Sequence, residues 1–363
     1  MANKKIINIP LGSQHISLLE PVKFKFACEN EKITEVDSDV GFVHRGIEKA
    51  CTTKFKFDAV PYVVARICGL CAITHSLCYT TAVENLLEGE VPLKAKYLRI
   101  LLVELDRIHS HMLCLSHTAE NAGFEAMFMQ IMGDREYVMD LQEKITGNRI
   151  QFDYVSIGGV NRDITSEIIK DIKTNLKIIK AKVDEYIYEF TNNWSLSLKF
   201  QDIGTLSLDE AYDYNAIGPL ARAAGLKTDV RSETNYLPYD EVGYKMQLGN
   251  TGDIHGRNIV RLNEILNSIQ MCENIVDGLP DGEIFTKLKG KPNGESLVRL
   301  EAPRGELMYY IKGDGKPFLN RVRIKTPTFA CIPAFMEVFK GSNYADAPAI
   351  LASFDPCMSC TAK

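Results

Sequence analysis

The sequence has no excess of positive charge. Its 363 residues include 42 Lys and Arg against 47 Asp and Glu, which gives a formal net charge of −5. Proteins that bind nucleic acids present a basic face to the phosphates, so we expect no nucleic-acid partner. Hydrophobic residues make up 45% of the chain and charged residues 25%, a balance that is typical of a globular protein.

Long apolar runs are also missing. No stretch reaches the roughly 18 uncharged apolar residues of a membrane-spanning helix. The most apolar helical segment, residues 100–115, is interrupted by Glu104, Asp106 and Arg107. Residues 1–6 lack the apolar core of a secretory signal. We therefore expect a protein that resides in the cytoplasm.

Cysteines are too few for a disulfide scaffold, with ten in the whole chain, and the cytoplasm keeps thiols reduced. Two pairs share the spacing Cys-x-x-Cys, namely Cys68 with Cys71 and Cys357 with Cys360. The other six are predicted to be small hydrophobic core residues: Cys28, Cys51, Cys78, Cys114, Cys272 and Cys331.

Hydrophobic spacing predicts both strands and helices. Residues 22–26 and 33–36 are expected to form two short strands joined by a turn at 29–32. Apolar residues at three- and four-residue steps predict long helices over 97–115, 164–190 and 259–269. Asp163 is the predicted N-cap of the second of these helices.

The rest of the pattern completes an α+β fold. Residues 207–249 are expected to form loops with short helices, and strands return over 297–323, where Gly313-Asp314-Gly315 signals a hairpin. We predict a helical bundle core with β structure from the N-terminal segment and the C-terminal third. This single integrated domain would comprise a β region (1–60), a helical core with the first cysteine pair (61–290) and a β and loop region with the second pair (291–363).

The two cysteine pairs predict a metal site that joins both ends of the fold. Four thiolates can close a tetrahedral site, and Cys71 and Cys357 are 357 − 71 = 286 positions apart. A structural zinc ion is one interpretation, because zinc is the commonest metal in such sites. His75 follows Cys71 by four residues and is placed to donate a hydrogen bond to a thiolate. Asp355 precedes the second pair and could form a polar wall of the site.

Six motifs carry a family resemblance along most of the chain. They are GSQH at 12–15, GFVHRGIEK at 41–49, RICGLC at 66–71, GGVNRD at 158–163, EAPRGE at 301–306 and DPCMSC at 355–360. Through them the chain resembles the large, catalytic subunit of NiFe hydrogenases, above all the membrane-bound energy-converting branch known as group 4. That branch shares ancestry with the large hydrophilic subunit of respiratory complex I. The complex I relatives lack the four cysteines, so the cysteines favour a hydrogenase.

The resemblance implies a nickel–iron centre and its chemistry. All four cysteines would bind nickel, with Cys68 and Cys357 as terminal ligands. Cys71 and Cys360 would also bridge to an iron that carries CO and cyanide. Soft thiolates suit nickel. The implied reaction is the reversible heterolytic cleavage of dihydrogen.

The resemblance also assigns roles around the centre. Arg304 would hang over the gap between nickel and iron, with Asp355 as its acidic neighbour and His75 tuning a thiolate. Pro327 and Thr328 would wrap the cyanide ligands. The alternative for Arg304 is an ordinary surface arginine in a turn.

Two glutamates complete the implied site. Glu20 resembles the family's gating glutamate, which exchanges protons with a terminal thiolate; a carboxyl in apolar surroundings has the raised pKa that such a shuttle needs. Glu48 resembles a ligand of a second, structural magnesium or iron, since carboxylate oxygens suit magnesium. The alternatives are an exposed strand-start glutamate for Glu20 and a surface salt bridge for Glu48.

Two departures from the family pattern bear on these roles. Many relatives place an acid between two histidines where this chain has His109, Ser110 and His111. We predict that these histidines, and His117, pack or form hydrogen bonds rather than bind metal. Relatives that are matured by proteolysis usually end in His or Arg, whereas Lys363 is the last residue here, so a histidine ligand of the second metal is missing.

The resemblance finally implies partners. The chain has no spare cluster motif, so it would exchange electrons with the 4Fe-4S cluster of a small hydrogenase subunit, with ferredoxin as the electron partner. Other complex I-like hydrophilic subunits and membrane arm subunits would place it peripherally on the cytoplasmic side of the cell membrane. The alternative is a non-catalytic, complex I-like scaffold subunit with a structural four-cysteine zinc site.

Overall fold

A computed structural model describes residues 6–15, 18–150 and 153–363. The chain begins with an antiparallel sheet of three strands: β1 (Ile7–Leu11), β2 (Lys23–Glu29) and β3 (Lys32–Asp39). Asn30 and Glu31 form the β2–β3 turn with positive φ, as two-residue hairpins require. Alternate residues of β2 face inward, and Phe26 packs edge-on against Phe339. The predicted N-terminal hairpin is therefore confirmed.

Helices make up the middle of the chain. They are α1 (Ile47–Thr53), α2 (Val60–Ala65), α3 (Ala72–Glu84), α4 (Leu93–Asn121), α5 (Glu125–Thr146), α6 (Ser166–Asn192), α7 (Trp194–Phe200), α8 (Leu208–Asp213), α9 (Gly218–Ala223), α10 (Val230–Glu233) and α11 (Ile254–Asp277). A two-stranded ribbon, β4 (Val155–Ser156) and β5 (Gly159–Val160), precedes α6. The three long helices and the irregular region with short helices are confirmed.

Helix α4 is the axis of the bundle. Every residue from 98 to 116 is buried, and the helix packs against α5, α11 and the later helix over Ala347–Phe354. The charged residues that interrupt its apolar pattern, Glu104, Asp106 and Arg107, are therefore inside the protein. Within the described residues no helix combines the length and the hydropathy needed to cross a bilayer.

The predicted cap of α6 is wrong. The helix begins after Thr165, whose hydroxyl accepts a hydrogen bond from the Ile168 amide at 3.3 Å. Asp163 lies two residues earlier, where it accepts from the Ile164 amide and pairs with Lys94. An N-cap must lie directly before the first helical residue, and Thr165 meets this condition while Asp163 does not.

The C-terminal third forms a second antiparallel sheet and three further helices. They are β6 (Asn293–Ala302), β7 (Gly305–Asp314), β8 (Arg321–Lys325), α12 (Pro327–Phe339), α13 (Ala347–Phe354) and α14 (Met358–Thr361), with a short 3-10 helix at Tyr344–Asp346. The predicted hairpin signal ends β7, and residues 315–320 connect it to β8. A tighter turn, which was not predicted, joins β6 to β7: Ala302 pairs with Gly305, so Pro303 and Arg304 form a two-residue tip.

The two ends of the chain meet in space. The Ile33 amide of β3 donates to the Ser342 carbonyl at 2.9 Å. Helix α13 packs against α4 and α11 and leads into α14. The structure thus confirms an α+β fold with a helical core and β structure from both ends, while the division into three regions stays a prediction.

Candidate metal centre

The fold brings all four predicted cysteine ligands together. Cys71 is the N-cap of α3 and Cys357 that of α14. The Cys71 and Cys360 sulfurs are 3.5 Å apart, those of Cys68 and Cys357 are 3.2 Å apart, and all four residues are buried. Four sulfurs held at about 2.3 Å around one tetrahedral metal would be roughly 3.8 Å apart. The sulfurs of Cys68, Cys71 and Cys360 lie close enough together to hold one ion, Cys357 reaches this group through its contact with Cys68, and soft thiolates suit nickel as well as zinc.

One of the four thiols, Cys71, is arranged to lose its proton readily. Hydrogen bonds from Cys360 and Cys68 lower the pKa of Cys71 to about 7. The Leu70 amide donates to the Cys68 sulfur at 3.2 Å. A thiol binds metal as the thiolate, so Cys71 is close to its ligand form at neutral pH. In contrast, burial raises the pKa of Cys360 well above its ordinary value. The Cys360 hydrogen bond acts to lower the pKa of Cys357, but the Cys68 hydrogen bond and burial raise it to about 11.

His75 lies where the sequence placed it, against a thiol. Its Nε2 is 3.4 Å from the Cys360 sulfur and its Nδ1 is 2.7 Å from the Tyr309 hydroxyl. Burial lowers the pKa of His75 to about 3, so the ring is neutral and carries one hydrogen. If the Tyr309 hydroxyl donates to Nδ1, that hydrogen is on Nε2 and points at the sulfur. No signal in the sequence identified Tyr309.

Arg304 is held at the β6–β7 tip by Asp355. Its Nε donates to the Asp355 carbonyl at 2.8 Å and its Nη2 to Asp355 Oδ1 at 2.7 Å. Burial acts to lower the pKa of Arg304, but Asp355 and the charges of Cys357 and Cys68 hold it well above its usual value. Arg304 Nη1 and Asp355 Oδ2 are buried without a hydrogen-bond partner. Unpaired buried polar atoms are rare, so this pair can bind a further polar group.

The start of α12 holds the backbone of the second cysteine pair through two threonine hydroxyls. Thr328 Oγ1 accepts a hydrogen bond from the Cys357 amide at 3.1 Å, and Thr326 Oγ1 donates to the Cys360 carbonyl at 2.9 Å. Pro327, the first residue of α12, is buried between them. Thr326 was not predicted, although a threonine before a helix-starting proline is a typical N-cap signal.

Glu20 also reaches the second pair. The Ser359 amide donates to Glu20 Oε2 at 3.0 Å, and the Ser359 hydroxyl donates to Oε1. That hydroxyl lies 3.7 Å from the Cys357 sulfur. Burial first, and then the charge of Cys357, raise the pKa of Glu20 to about 7. Glu20 also lines a small, mostly apolar cavity with Leu18, Leu19, Val22, Pro356 and Met358.

Asp106 supplies an acidic group near Arg304 to which the sequence pattern gave no role. Burial raises its pKa well above the ordinary value, and the charge of Arg304 acts in the opposite direction. Its Oδ1 bonds His109 Nε2 at 3.1 Å, and its Oδ2 has no partner. His111 bonds Glu264 at 2.8 Å and His117 bonds Glu120 at 2.8 Å. The three histidines thus form hydrogen bonds, as predicted.

Glu48 lies apart from the cysteines. Its Oε1 accepts from the Ile324 amide at 2.9 Å and its Oε2 pairs with Arg323 at 3.2 Å. It lines a surface pocket of about 270 Å³ with His44 and Lys363. In the described part of the chain, Cys68, Cys71 and Cys360 form the single group of three or more Cys, His, Asp or Glu ligand atoms found close enough to hold a metal. The second metal site therefore stays a prediction.

A buried cluster of arginines and carboxylates supports the Arg304 turn. Arg222 pairs with Glu264 and Glu301 at 2.8 Å and with Asp229 at 3.1 Å. Arg107 donates to the carbonyls of Glu301 and Ala302 at 2.8 and 3.2 Å, at the end of β6. No sequence motif indicated this assembly. The full arginine–carboxylate cluster comprises Glu104, Arg107, Arg222, Asp229, Arg231, Glu264 and Glu301.

Two known families match the chain. Residues 121–291 and 283–363 match the family described as "Respiratory-chain NADH dehydrogenase, 49 Kd subunit". Residues 45–119, which contain the first cysteine pair, match "Nickel-dependent hydrogenase". The first match covers more than half of the chain.

Individual relatives are similar over nearly the whole length. The chain is 35% identical over 357 residues to a carbon monoxide-induced hydrogenase of Rhodospirillum rubrum, in an alignment that covers 98% of this chain and 99% of that protein. It is 33% identical over 357 residues to an NADH-quinone oxidoreductase subunit of Clostridium beijerinckii, over 97% and 96% of the two chains. A chain of the membrane-bound sulfane sulfur reductase, an archaeal respiratory membrane complex, is 25% identical and matches with a TM-score of 0.93 over 100% of both chains.

Proposed function

Because the chain belongs to the family that joins nickel-dependent hydrogenases to the 49 kDa subunits of respiratory-chain NADH dehydrogenases, we propose that it is the catalytic subunit of a membrane-associated, energy-converting NiFe hydrogenase. The unpaired Arg304 Nη1 beside the four thiols carries this proposal. A structural zinc bound by four thiolates has no further ligands, and so leaves this donor without an acceptor. An iron with cyanide ligands offers a hydrogen-bond acceptor to Arg304.

The four cysteines, Cys68, Cys71, Cys357 and Cys360, would hold the centre through their thiolates. When bound, such a centre supplies the site at which dihydrogen is split heterolytically or formed. Arg304 would place a positive charge beside the bound centre, and Asp355 keeps its guanidinium in position through two hydrogen bonds. The neutral His75 would donate to the Cys360 sulfur and adjust its basicity.

Glu20 would carry protons between the centre and the exterior. A carboxyl with a pKa of about 7 both accepts and releases protons readily at neutral pH. The Ser359 hydroxyl lies between Glu20 and the Cys357 sulfur and offers a hydrogen-bonded step between them. Pro327 and Thr328 would wrap the cyanide ligands, beside the Cys357 amide that Thr328 binds.

The names of the relatives support a set of partner subunits. Their names include a membrane-bound hydrogenase subunit alpha from Pyrococcus furiosus, 32% identical over 98% of this chain and 87% of that protein, and a respiratory membrane complex. We propose that this chain assembles with complex I-like hydrophilic subunits and a membrane arm on the cytoplasmic side of the membrane. A small subunit with a 4Fe-4S cluster and ferredoxin would exchange electrons with it.

The second candidate is a non-catalytic scaffold with a structural zinc. Two observations favour it: the sulfur separations suit zinc as well as nickel, and relatives of similar identity include subunits of NADH-quinone oxidoreductases. The two candidates differ in the metals that the mature protein contains.

Metal analysis of the complex purified from cells separates them. We expect nickel, infrared bands from CO and cyanide bound to iron, and loss of both the nickel and the bands in Cys71→Ser. Total iron is not diagnostic, because the iron–sulfur cluster of a partner subunit would contribute to it. The matched control, Cys331→Ser, changes a buried cysteine outside the site and should keep both the nickel and the bands. Zinc in place of nickel, or a fully metallated sample without the infrared bands, would refute the hydrogenase proposal.

A further inference from the structure

One arginine bonds to both cysteine-bearing segments. Arg45 Nη1 donates to the Arg66 carbonyl at 2.9 Å, and its Nη2 donates to the Ile67 carbonyl at 2.8 Å, directly before Cys68. The same Nη2 donates to the Ser359 carbonyl at 3.0 Å, between Cys357 and Cys360. Its Nε donates to the Val43 carbonyl at 3.2 Å, within its own loop. Each of the three guanidinium nitrogens thus donates to at least one backbone carbonyl.

The two segments need such a connection. The first is the loop between α2 and α3, and the second follows α13, so neither belongs to a sheet that would align them. In the ranges that the structure describes, no backbone hydrogen bond joins residues 66–71 to residues 355–361. In the described residues, the side-chain hydrogen bonds that join these segments directly are weak sulfur–sulfur contacts, and His75 of α3 adds one to Cys360.

Arg45 is itself held firmly although it lies at the surface. Gly46, the N-cap of α1, has a φ of +66°, a conformation that other residues adopt at a cost, and it turns the chain into the helix directly after Arg45. Helix α1 is anchored by the buried Ile47 and Cys51. The guanidinium is therefore presented to the two segments by a fixed element.

We propose that Arg45 is a positioning residue that holds the two cysteine pairs in register, so that the four thiols are arranged before the metal binds. The planar guanidinium has five donors in a rigid fork and can bond carbonyls on two segments at once. A lysine ammonium is a single point of charge and cannot span them in the same way. This role applies to any metal that the thiols bind, so it stands independently of the NiFe assignment.

Cobalt binding tests this role without any measurement of turnover. The probe is Co²⁺ titrated into the reduced, metal-free full-length chain, followed by the thiolate-to-cobalt absorption. We expect Arg45→Ala to weaken Co²⁺ binding about 10- to 100-fold, the range found when groups that orient metal ligands are removed. The matched control is Arg66→Ala, which removes an arginine of the first segment that pairs with Asp153. It should bind Co²⁺ about as tightly as the wild type.

Hydrogen exchange distinguishes a local effect from unfolding. In metal-free Arg45→Ala, the amides of Cys357, Thr361 and Ala362 should exchange faster while those of α4 stay protected. If Arg45→Ala exchanges rapidly throughout, Arg45→Lys takes its place, and we expect it to remain folded and to bind Co²⁺ about tenfold more weakly. The proposal would be overturned if a folded Arg45 variant bound Co²⁺ as tightly as the wild type. It would also be overturned if Arg66→Ala lost as much Co²⁺ affinity as the Arg45 variant.

Discussion

Glu20→Gln should abolish most hydrogen turnover while the metals stay bound. The glutamine keeps the size of the side chain and can still accept a Ser359 hydrogen bond, but it cannot release and regain a proton near neutral pH. Positioned acid–base groups contribute about 100- to 10,000-fold to rates, so we expect a loss of about 100-fold or more in dihydrogen evolution with a reduced dye. Nickel, iron and the infrared bands should be unchanged.

The pH profile of the wild type gives this experiment a second measurement. Burial raises the pKa of Glu20 to about 7, so its carboxyl is mostly protonated below that pH and mostly ionised above it. The rate should show an ionisation near this pKa that is absent from Glu20→Gln. Glu35→Gln, at an exposed position of β3, is the control. Near-normal turnover in Glu20→Gln would refute the relay.

Arg222→Met should greatly lower the stability of the fold, far more than a substitution of a partly exposed arginine. The substitution leaves Glu264, Glu301 and Asp229 buried beside an uncharged side chain. Removal of one partner from a buried ion pair costs about 3–5 kcal/mol, because the remaining charge is uncompensated. We expect a loss of that size in the free energy of unfolding, measured by urea titration at neutral pH. Arg299→Met breaks half-exposed pairs with Glu306 and Glu233 and should cost about 1 kcal/mol or less.

The loss in the free energy of unfolding of Arg222→Met should also depend on pH. In the wild type, burial acts to raise the pKa of Glu264, but Arg222 and the His111 hydrogen bond hold it well below its ordinary value of 4.5. Without Arg222, burial would dominate and the pKa would rise above that of the unfolded chain. The folded variant would then bind more protons than the unfolded chain, so its stability would fall as pH rises above about 4.5. A destabilisation that is equal in mildly acidic and mildly basic buffer would contradict this expectation.

Much of the fold followed from local pattern. The β2–β3 hairpin and the long helices were predicted because periodic apolar residues report which face is buried. The cap of α6 was not, because Asp163 and Thr165 are both good capping residues and local sequence did not decide between them. The two-residue turn at Pro303 and Arg304 was missed since its position depends on the pairing of β6 with β7 along their whole length.

The sequence by itself determined the candidate ligands, four cysteines in two pairs, with Arg304, Asp355, Glu20 and His75 as candidates around them. Only the tertiary structure decided which groups complete the site. Tyr309 faces His75 because β7 packs against α3, and Arg45 joins the two pairs because α1 presents it there. The arginine–carboxylate cluster assembles from elements that are far apart in the chain. Charged side chains look alike in a sequence whether they face water or one another, and long-range packing alone determines which of the two occurs.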